Sequence, residues 1–353
     1  MKPTLQLLLK QNATAPTLFA ILLMGLCIAC GNSSSASSTT GGTTGSNAGR
    51  PCDLFASTTA CVAAFSTTRA LYTSYTGPLY QVTRASDGTT LDIGLLSDGY
   101  ADAAAQDTFC AKTTCTITEI YDQSPNHNNL TVAPPGGADK GAGPNGYDLP
   151  AIANALPATA GGQKVYGVFI SPGMGYRNDA TTGIAVNGEP EGVYMVSSTY
   201  NLDSGCCFDF GNAEVNNKDN GAGHMDAMNL HCAGTSCSVV AGLDMENGIY
   251  GLLPVPAVLP FVTVMGTNNG QSSYAIWQGN AQSGSLSTTG STPLPTGYSP
   301  MKQEGAIILG IGGDNSNRSS GYFFEGAMTK GVPSNTVMNN VQNSIVAAGY
   351  SGL

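Results

Sequence analysis

Charged residues are scarce in this sequence, and basic ones are scarcer than acidic ones. Lys and Arg total 13 against 23 Asp and Glu, charged residues make up 10% of the chain, and the formal net charge is −10. Proteins that bind nucleic acid or an anionic membrane surface normally present a basic patch. We therefore expect neither partner, and a neutral polymer suits this surface better.

The motifs of several large enzyme classes are absent too. The sequence has no HExxH, no pair of CxxC motifs, no GxSxG and no glycine motif of the Walker or dinucleotide-binding type. Its three histidines, His127, His224 and His231, lack ligand-like spacing, and we interpret them as surface or hydrogen-bonding residues. We expect no metal and no cofactor.

The apolar stretch at residues 15–29 is too short to cross a bilayer comfortably as a helix. It follows the basic Lys2 and Lys10, which is typical of a signal peptide. It ends in CIACG, which resembles a bacterial lipoprotein cleavage site with Cys30 as the lipidated residue. We predict such a signal peptide over residues 1–30, and hence an extracytoplasmic bacterial protein anchored by lipid to the outer membrane. The alternative is an ordinary signal peptide.

Residues 31–50 are Ser, Thr, Gly and Asn with almost no apolar side chain. Such a segment cannot bury enough surface to offset its ordering entropy, so we predict a flexible tether. One folded domain is then expected over residues 51–353, a length that suffices for a single large core.

Eight of the ten cysteines lie in that domain, and an even count in an exported chain indicates disulfides. Short spacing favours the pairs Cys52–Cys61, Cys110–Cys115 and Cys232–Cys237. Cys206 and Cys207 are adjacent, and two pairings remain open for them. They bond to each other, or they bond separately to Cys232 and Cys237.

Short apolar runs separated by Gly, Pro, Asn and Asp predict an all-β domain, a β-sandwich with minor helices. The predicted strands are residues 116–121, 165–170, 192–197, 238–245, 261–265, 274–278, 306–311 and 322–328. Helical spacing of apolar residues predicts helices at 61–72 and 335–348. The strand–helix alternation that a parallel α/β sheet needs is missing.

Acidic residues inside apolar strands are the first candidates for chemistry. In the predicted strand 238–245, side chains alternate, so Asp244 and Glu246 are expected on one face. Two neighbouring carboxylates disfavour each other's ionisation unless the site uses them. The alternative is an ordinary solvent-facing strand edge.

A second candidate, Asp314, follows the apolar run AIILGI and two glycines. We expect its carboxyl to be partly desolvated where the buried strand emerges, which would suit a general acid. The alternative is an Asp that caps the turn with its own side chain. Together, Glu246 and Asp314 match the two carboxyl groups that glycoside hydrolysis requires.

A disulfide between Cys206 and Cys207 would present a flat, polarizable, apolar surface. Such a surface can pack on the CH face of a sugar, as an aromatic ring commonly does. The chain has a single tryptophan, so a substitute platform fits a carbohydrate site.

Many segments of the chain resemble the catalytic domain of the α-L-arabinofuranosidases of glycoside hydrolase family 54. The matching segments run in order over almost the whole of residues 51–348 and include CVAAFSTTRALY, ITEIYDQSPNHNNLTVAPPGG, VYGVFISPGMGYRN, CCFDFGNAE, GAGHMDA, LDMENG and EGAIILGIGGDNSN. The resemblance implies a β-sandwich, which we take as a concanavalin/laminin-G-like jelly roll. It also implies a retaining glycosidase that removes terminal arabinofuranosyl residues.

The resemblance also implies residue roles. Glu246 corresponds to the nucleophile and Asp314 to the acid/base. The residues implied to contact arabinose are Asp244, Asn247, Gly313, Cys206 and Cys207, the last two as a vicinal disulfide. The implied substrate is a plant cell-wall polysaccharide of the arabinan or arabinoxylan type, and we expect a monomer.

Two departures from the family limit the resemblance. Residues 228–237 replace a longer family loop that carries a tryptophan, so the leaving-group preference is open. No counterpart of the family's C-terminal arabinose-binding domain precedes Leu353, and we expect weaker binding to insoluble polymer. The alternatives are a non-catalytic, lectin-like carbohydrate-binding module and a related furanosidase or xylosidase.

Overall fold

The computed structural model describes residues 49–55, 59–234, 236–247 and 249–353. Within them the chain forms twenty strands, three α-helices and a 3-10 turn at Pro144–Gly146. The strands are β1 Cys61–Ser66, β2 Tyr80–Arg84, β3 Thr90–Ile93, β4 Cys115–Ile120, β5 Leu130–Val132, β6 Leu156–Ala160, β7 Gln163–Ile170, β8 Tyr176–Asn178, β9 Glu191–Ser197, β10 Asp209–Ala213, β11 Asp226–Ala233, β12 Ser238–Asp244, β13 Ile249–Pro254, β14 Val262–Asn268, β15 Ser273–Asn280, β16 Ser287–Thr288, β17 Thr292–Pro293, β18 Ala306–Leu309, β19 Gly321–Phe323 and β20 Glu325–Lys330. The helices are α1 Pro51–Phe55, α2 Ala103–Phe109 and α3 Asn335–Ala347.

Two large antiparallel sheets form a sandwich. A 7-stranded sheet has the order β1-β20-β9-β14-β15-β16, with β17 also paired to β15. A 10-stranded sheet has the order β13-β12-β11-β10-β18-β8-β5-β4-β2-β3. Strands β11, β12 and β13 pack against β9, β14 and β15 of the smaller sheet. A third sheet joins β19, β7 and β6.

The predicted all-β sandwich is confirmed, and so is the helix that begins after Ser334. Ser334 caps α3 by accepting a hydrogen bond from the Val337 amide at 3.3 Å, which satisfies one of the helix's free N–H groups. Strand β9 is buried at all seven positions, as expected for a short, continuous apolar run between two layers.

The predicted helix at residues 61–72 is wrong. The segment forms β1, which pairs with β20 and is buried at five of its six positions. The apolar spacing in CVAAFS fits either structure, and in a strand covered on both faces alternation disappears. Tertiary packing therefore decided a case that the pattern left ambiguous.

The predicted signal peptide and nearly all of the predicted tether lie outside the described residues, and so does Cys30. Among the helices that are described, none has the length and apolar character needed to cross a membrane.

Four disulfides lie within the described part of the chain. They join Cys52 to Cys61, Cys110 to Cys115, Cys206 to Cys207 and Cys232 to Cys237. The first ties α1 to β1, and the last closes the hairpin between β11 and β12. Of the two pairings left open for Cys206 and Cys207, the structure has the vicinal one.

A buried ion pair joins Arg69 to Glu325 of β20. The Arg69 guanidinium donates from Nε and Nη2 to both Glu325 carboxylate oxygens, at 2.5 and 2.7 Å. Tyr350 Oη donates to Glu325 Oε2 at 2.6 Å, and Arg69 Nη1 reaches the Ser344 carbonyl of α3. Both charged side chains are at most 2% exposed, so the pair joins the loop after β1, strand β20 and helix α3.

We expect Glu325→Gln to lower the free energy of unfolding by about 3–5 kcal/mol, because the Arg69 charge stays buried without its partner. Denaturant unfolding measures the change. The matched control, Lys164→Ala, removes a surface pair with Asp107 and should change stability by no more than about 1 kcal/mol. A similar effect for both variants would contradict the assignment.

A second polar cluster lies between the two large sheets and contains two buried acids. Asn212 Nδ2 donates to Glu191 Oε1 at 3.0 Å, and Asp226 accepts from Asn268 Nδ2 and Gln303 Nε2 at 2.8 and 2.9 Å. Burial and then the neighbouring Asp226 raise the pKa of Glu191 well above its usual range. Burial raises the pKa of Asp226 to about 6. The two acids therefore retain a proton at pH values where exposed acids are ionised.

Because both folded-state pKa values exceed those of the unfolded chain, the folded protein binds more protons near neutrality. The stabilisation is complete below about pH 4 and is lost as pH rises through the pKa of about 6 at Asp226 and beyond. We expect the free energy of unfolding to fall between pH 5 and pH 8, and Glu191→Gln to reduce this slope. Urea unfolding at several pH values measures it. The control is Glu119→Gln, at a half-buried position outside the cluster. An equal slope in both variants would contradict the assignment of this pH dependence to the cluster of Glu191 and Asp226.

Candidate active site

One cavity of about 450 Å³ brings the sequence-predicted site residues together. Its lining includes Glu246, Asp314, Asp244, Asn247, Gly313, Cys206 and Cys207. These residues come from three separate stretches of the chain, at the ends of β10, β12 and β18 and in the loops beside them. The lining contains no Lys or Arg among the residues that the structure describes.

The register of the 10-stranded sheet explains one wall of the cavity. Asp209 pairs with Asn229, Asn229 with Gly242, and Gly242 with Leu252. Directly paired residues point to the same face of a sheet, so these four positions form a row across β10 to β13. Asp244 lies two residues from Gly242 and shares this face.

Glu246 does not share a strand face with Asp244, contrary to the sequence prediction. Strand β12 ends at Asp244, and Glu246 lies in the following turn with φ 79°, next to Asn247 with φ 58°. The Glu246 amide donates to Asp244 Oδ1 at 2.8 Å, and Tyr298 Oη donates to the Glu246 carbonyl at 3.0 Å. A glutamate in this left-handed region stores about 1–3 kcal/mol of strain, a feature common at functional sites.

Glu246 is 3% exposed, and its carboxyl group shares the cavity with other acids. Its Oε1 accepts a hydrogen bond from the Asn220 amide at 3.0 Å, whereas Oε2 has no donor within the described part of the chain. Burial, followed by contact with the Glu214 carboxyl group, raises the pKa of Glu246 far above its usual range, and Asp219 adds to the shift.

Asp244 lies beside this group and is 7% exposed. Burial raises its pKa to about 7, the Glu246 amide opposes the rise, and the charges of Glu214 and Asp314 add to it. Behind Asp244, burial and the Asp244 charge raise the pKa of Asp209 well above its usual range. Asp244 and Asp209 therefore keep their protons to higher pH than exposed aspartates do.

Asp314 lies five residues beyond the end of β18 and is half-buried. Its Oδ1 accepts hydrogen bonds from the Ser316 amide at 3.0 Å and the Ser316 hydroxyl at 2.7 Å. Asp314 thus caps its turn, as the alternative interpretation proposed, and it also lines the cavity. The two interpretations are compatible because only one carboxylate oxygen makes the cap.

Arg177 holds two of these loops from below. Its guanidinium is buried and donates from Nη1 to the Gly313 carbonyl at 2.6 Å and from Nη2 to the Glu214 carbonyl. Its Nε pairs with Asp179 at 2.5 Å. Gly313 packs so closely on Glu214 that a Cβ at position 313 would collide with the Glu214 carboxylate. A larger residue at 313 would therefore displace the Glu214 carboxylate.

The vicinal disulfide is fixed through its backbone. The Cys207 amide donates to the Ser316 carbonyl, and the Arg318 amide donates to the Cys206 carbonyl, both at 3.0 Å. The Cys232 amide donates to the Asp203 carbonyl at 2.9 Å. The stapled β11–β12 hairpin and the segment after Asp314 thus hold the loop that carries Cys206 and Cys207.

Sequence reasoning missed several residues that line the cavity. They include Glu214, Asp219, Asn229, His231 and Leu252. The alternation of β11 could have placed His231 on the face of Asn229, where its Nδ1 lies 2.5 Å from the Asn229 side-chain oxygen. Leu252 is 49% exposed, which for a leucine in a strand marks an apolar edge of the cavity.

A metal is poorly accommodated by the ligand-type groups here. Cys207 Sγ and carboxylate oxygens of Asp209 and Asp244 lie within 4.8 Å of one another. Cys207 is in a disulfide and cannot act as a thiolate ligand. The remaining two carboxyl groups have raised pKa values because of burial, and protonation competes with metal binding.

Comparison with known proteins identifies relatives in fungi. The chain is 52% identical over 316 residues to α-L-arabinofuranosidase B of Aspergillus niger and 51% identical over 315 residues to α-L-arabinofuranosidase of Hypocrea jecorina. Each alignment covers 85% of this chain and 63% of the relative. The chain therefore spans less than two thirds of the length of these relatives.

A solved structure has the same fold. An arabinofuranosidase crystallised with arabinofuranosyl-α-1,2-xylobiose superposes with a TM-score of 0.81 at 50% identity. The superposed region covers 86% of this chain and 66% of the crystallised chain.

The expected bacterial, outer-membrane lipid-anchored location is wrong. The matched relatives belong to Aspergillus and Hypocrea, and fungi have no outer membrane to hold such an anchor. The match to a lipoprotein cleavage site rests on five residues around Cys30, far fewer than the aligned residues that connect the chain to fungal proteins.

The family model described as α-L-arabinofuranosidase B, catalytic, matches residues 51–351. This range holds the whole cavity, and it confirms the family resemblance drawn from the motifs. The chain belongs to the α-L-arabinofuranosidase B catalytic-domain family.

Proposed function

We propose that the chain is a retaining glycoside hydrolase that releases terminal, non-reducing α-L-arabinofuranosyl residues from polysaccharides of the arabinan or arabinoxylan type. The observation that carries the proposal is the convergence of Glu246 and Asp314, from two separate loops, on one cavity. The names of the relatives and the arabinofuranosyl-xylobiose bound in the related crystal structure support it. Residues 51–353 then act as one catalytic domain.

The proposed reaction is a double displacement. Asp314 donates a proton to the glycosidic oxygen while a Glu246 carboxylate oxygen attacks the anomeric carbon, and the bond to the leaving group breaks. Asp314 then removes a proton from water, which attacks the same carbon and releases Glu246. The half-buried position of Asp314 and its single capped oxygen leave Oδ2 available to exchange this proton.

The remaining lining residues supply recognition. Asp244 and Asn247 present polar groups that suit sugar hydroxyls, and Gly313 lets the sugar approach the backbone. The Cys206–Cys207 disulfide offers the apolar surface for the sugar's CH face. A cavity without cationic side chains among its described residues suits a neutral sugar.

An oxidising, extracytoplasmic location fits this chemistry. Four disulfides lie within the described residues, and such bonds persist outside reducing compartments. The polymeric substrate is found outside the cell as well. The monomeric state stays a prediction.

We expect Glu246→Gln to lower kcat on 4-nitrophenyl α-L-arabinofuranoside by at least about 10³-fold with an unchanged melting temperature. Asp314→Ala should largely preserve kcat/KM on this activated substrate, whose leaving group needs no proton, but should lower its kcat because the base of the second step is lost. It should reduce activity on an arabinofuranosyl oligosaccharide, whose leaving group needs the proton, by about 10²–10⁴-fold. NMR of the first product should show the α anomer. Appearance of the β anomer, or near-normal activity of Glu246→Gln, would end the proposal.

A panel of aryl glycosides separates the alternatives. Binding of arabinose without hydrolysis would identify a lectin-like module, and faster hydrolysis of a xyloside or another furanoside would identify a related glycosidase.

A further inference from the structure

A second cavity, of about 330 Å³, lies away from the candidate active site. Its lining includes Trp277, the single tryptophan of the chain, together with hydroxyl and amide side chains. The volume falls within the range of about 300–1,000 Å³ that is usual for small-molecule sites. The proposed reaction makes no use of this cavity.

The second cavity lies on the outward face of the 7-stranded sheet. A Cβ at Gly251 of β13 would collide with the side chains of Tyr274 and Ile276, so these two side chains of β15 point at the facing sheet. Side chains alternate along a strand. Ser273 and Trp277 therefore point away from the facing sheet and into the cavity that they line.

The active-site cavity opens on the other side of the sandwich. A Cβ at Gly266 of β14 would collide with Met228 and approach Leu243 of the 10-stranded sheet, so these two side chains point inward. Asn229 and Gly242, the next residue of β11 and the preceding residue of β12, then point outward. They belong to the row that forms the active-site wall, so the two cavities face away from each other.

Small residues leave the space beside Trp277. Gly192 of β9 pairs with Thr267 of β14, and Thr267 pairs with Ala275 of β15, so a row without a large side chain crosses three strands. Pro333 covers one end of the row, because a Cβ at position 192 would lie 2.9 Å from Pro333 Cδ. Thr267, Ala275 and Pro333 all line the cavity.

The two walls of the cavity are helix α3 and strand β16. Ser334 caps the start of α3, and Gln342 Nε2 donates to the Asn280 carbonyl at 2.8 Å, which ties the helix to the end of β15. On the other side, Thr288 of β16 pairs directly with Trp277 and is exposed. The rim is therefore open to solvent, whereas Trp277 below it is 5% exposed.

The chemistry of the lining suits an uncharged ligand that is rich in hydroxyl groups. No charged side chain is found among the described residues that line the cavity. Ser273 Oγ accepts a hydrogen bond from Asn269 Nδ2, and Thr288 Oγ1 accepts one from the Gly290 amide, both at 3.0 Å. Because each hydroxyl group serves as an acceptor in these bonds, its own proton can be donated to a ligand.

We propose that this cavity is a second carbohydrate site, which binds a xylopyranosyl segment of the polysaccharide main chain and holds the enzyme on its polymer. The inference rests on the proposed function, which makes the polymer the substrate. Catalysis removes arabinofuranosyl side units, so the main chain is the part of an arabinoxylan that remains to be held on the far side of the sandwich.

A xylopyranosyl ring fits this lining. In its chair form the β-linked ring carries its hydroxyl groups around the edge and C–H bonds on both faces. The C–H bonds suit the apolar floor at Trp277 and Ala275, and the hydroxyl groups suit Ser273 and Thr288. The ring is uncharged, so it meets no repulsion from a chain of net charge −10.

The test measures depletion of the protein from solution by insoluble xylan whose arabinofuranosyl side units have been removed. This probe lacks the unit that the proposed active site cleaves, so its binding reports a main-chain site. Thr288→Arg places a long, planar side chain over Trp277, since arginine stacks on aromatic rings. Trp277→Leu removes the indole itself.

We expect the wild-type protein to bind the xylan and soluble xylohexaose to compete. Thr288→Arg and Trp277→Leu should each raise the Kd at least about fivefold. Hydrolysis of 4-nitrophenyl α-L-arabinofuranoside should stay unchanged in both, because the active site lies on the other side of the sandwich. Thr288→Arg changes an exposed position, so it decides even where Trp277→Leu fails to fold.

The matched control is Val258→Arg, which adds the same charge at a position that is 75% exposed and outside both cavities. It should bind xylan as the wild type does. An unchanged Kd for Thr288→Arg, an equal loss of binding in the control, or a wild-type protein that does not bind xylan would overturn the second site. Binding as expected without hydrolysis of the aryl arabinofuranoside by the wild type would instead overturn the proposed function.

Discussion

The concentration of acidic side chains in one cavity is the constraint on which the site depends. Burial of several carboxyl groups together is unfavourable unless some are protonated or hydrogen-bonded. Arg177 contributes a buried positive charge beneath the cavity and ties the Gly313 and Glu214 carbonyls together. Three of the carboxyl groups accept hydrogen bonds from backbone amides, those of Asn220, Glu246 and Ser316. Burial also raises the pKa values of Asp209 and Asp244, so these two acids keep their protons to higher pH than exposed aspartates do.

The two large sheets bring these groups to one place. β10, β12 and β18 belong to the same sheet, but β18 follows β10 by nearly a hundred residues of chain. Their pairing with β11 and β8 fixes where each strand ends, and the acidic side chains of the cavity follow those ends. The facing sheet packs against β11 and β12, so the loops beside the cavity extend from largely buried strands.

Local patterns in the sequence were sufficient for part of this structure. Asp244, Glu246 and Asp314 stood out because acids are rare beside apolar strands, and family motifs supplied their roles. Glu214 did not stand out, because its place in the same cavity as Glu246 depends on the register between β10, β11 and β12, which no local pattern encodes. The turn at Glu246 was missed for the same reason, since its positive φ depends on contacts with Asp244 and Tyr298. The helix predicted at residues 61–72 failed where burial on both faces erased alternation.

The β11–β12 hairpin has a consequence for how such a protein can diversify. Its tip is closed by Cys232–Cys237, and Cys232 hydrogen-bonds to the segment that leads to Cys206 and Cys207. The tip itself, between these two cysteines, has no acidic residue in its sequence. Insertions, deletions or substitutions at the tip can therefore reshape the rim while the carboxyl groups keep their geometry. The architecture separates a part of the molecule that selection can vary from the acidic cavity that it must preserve.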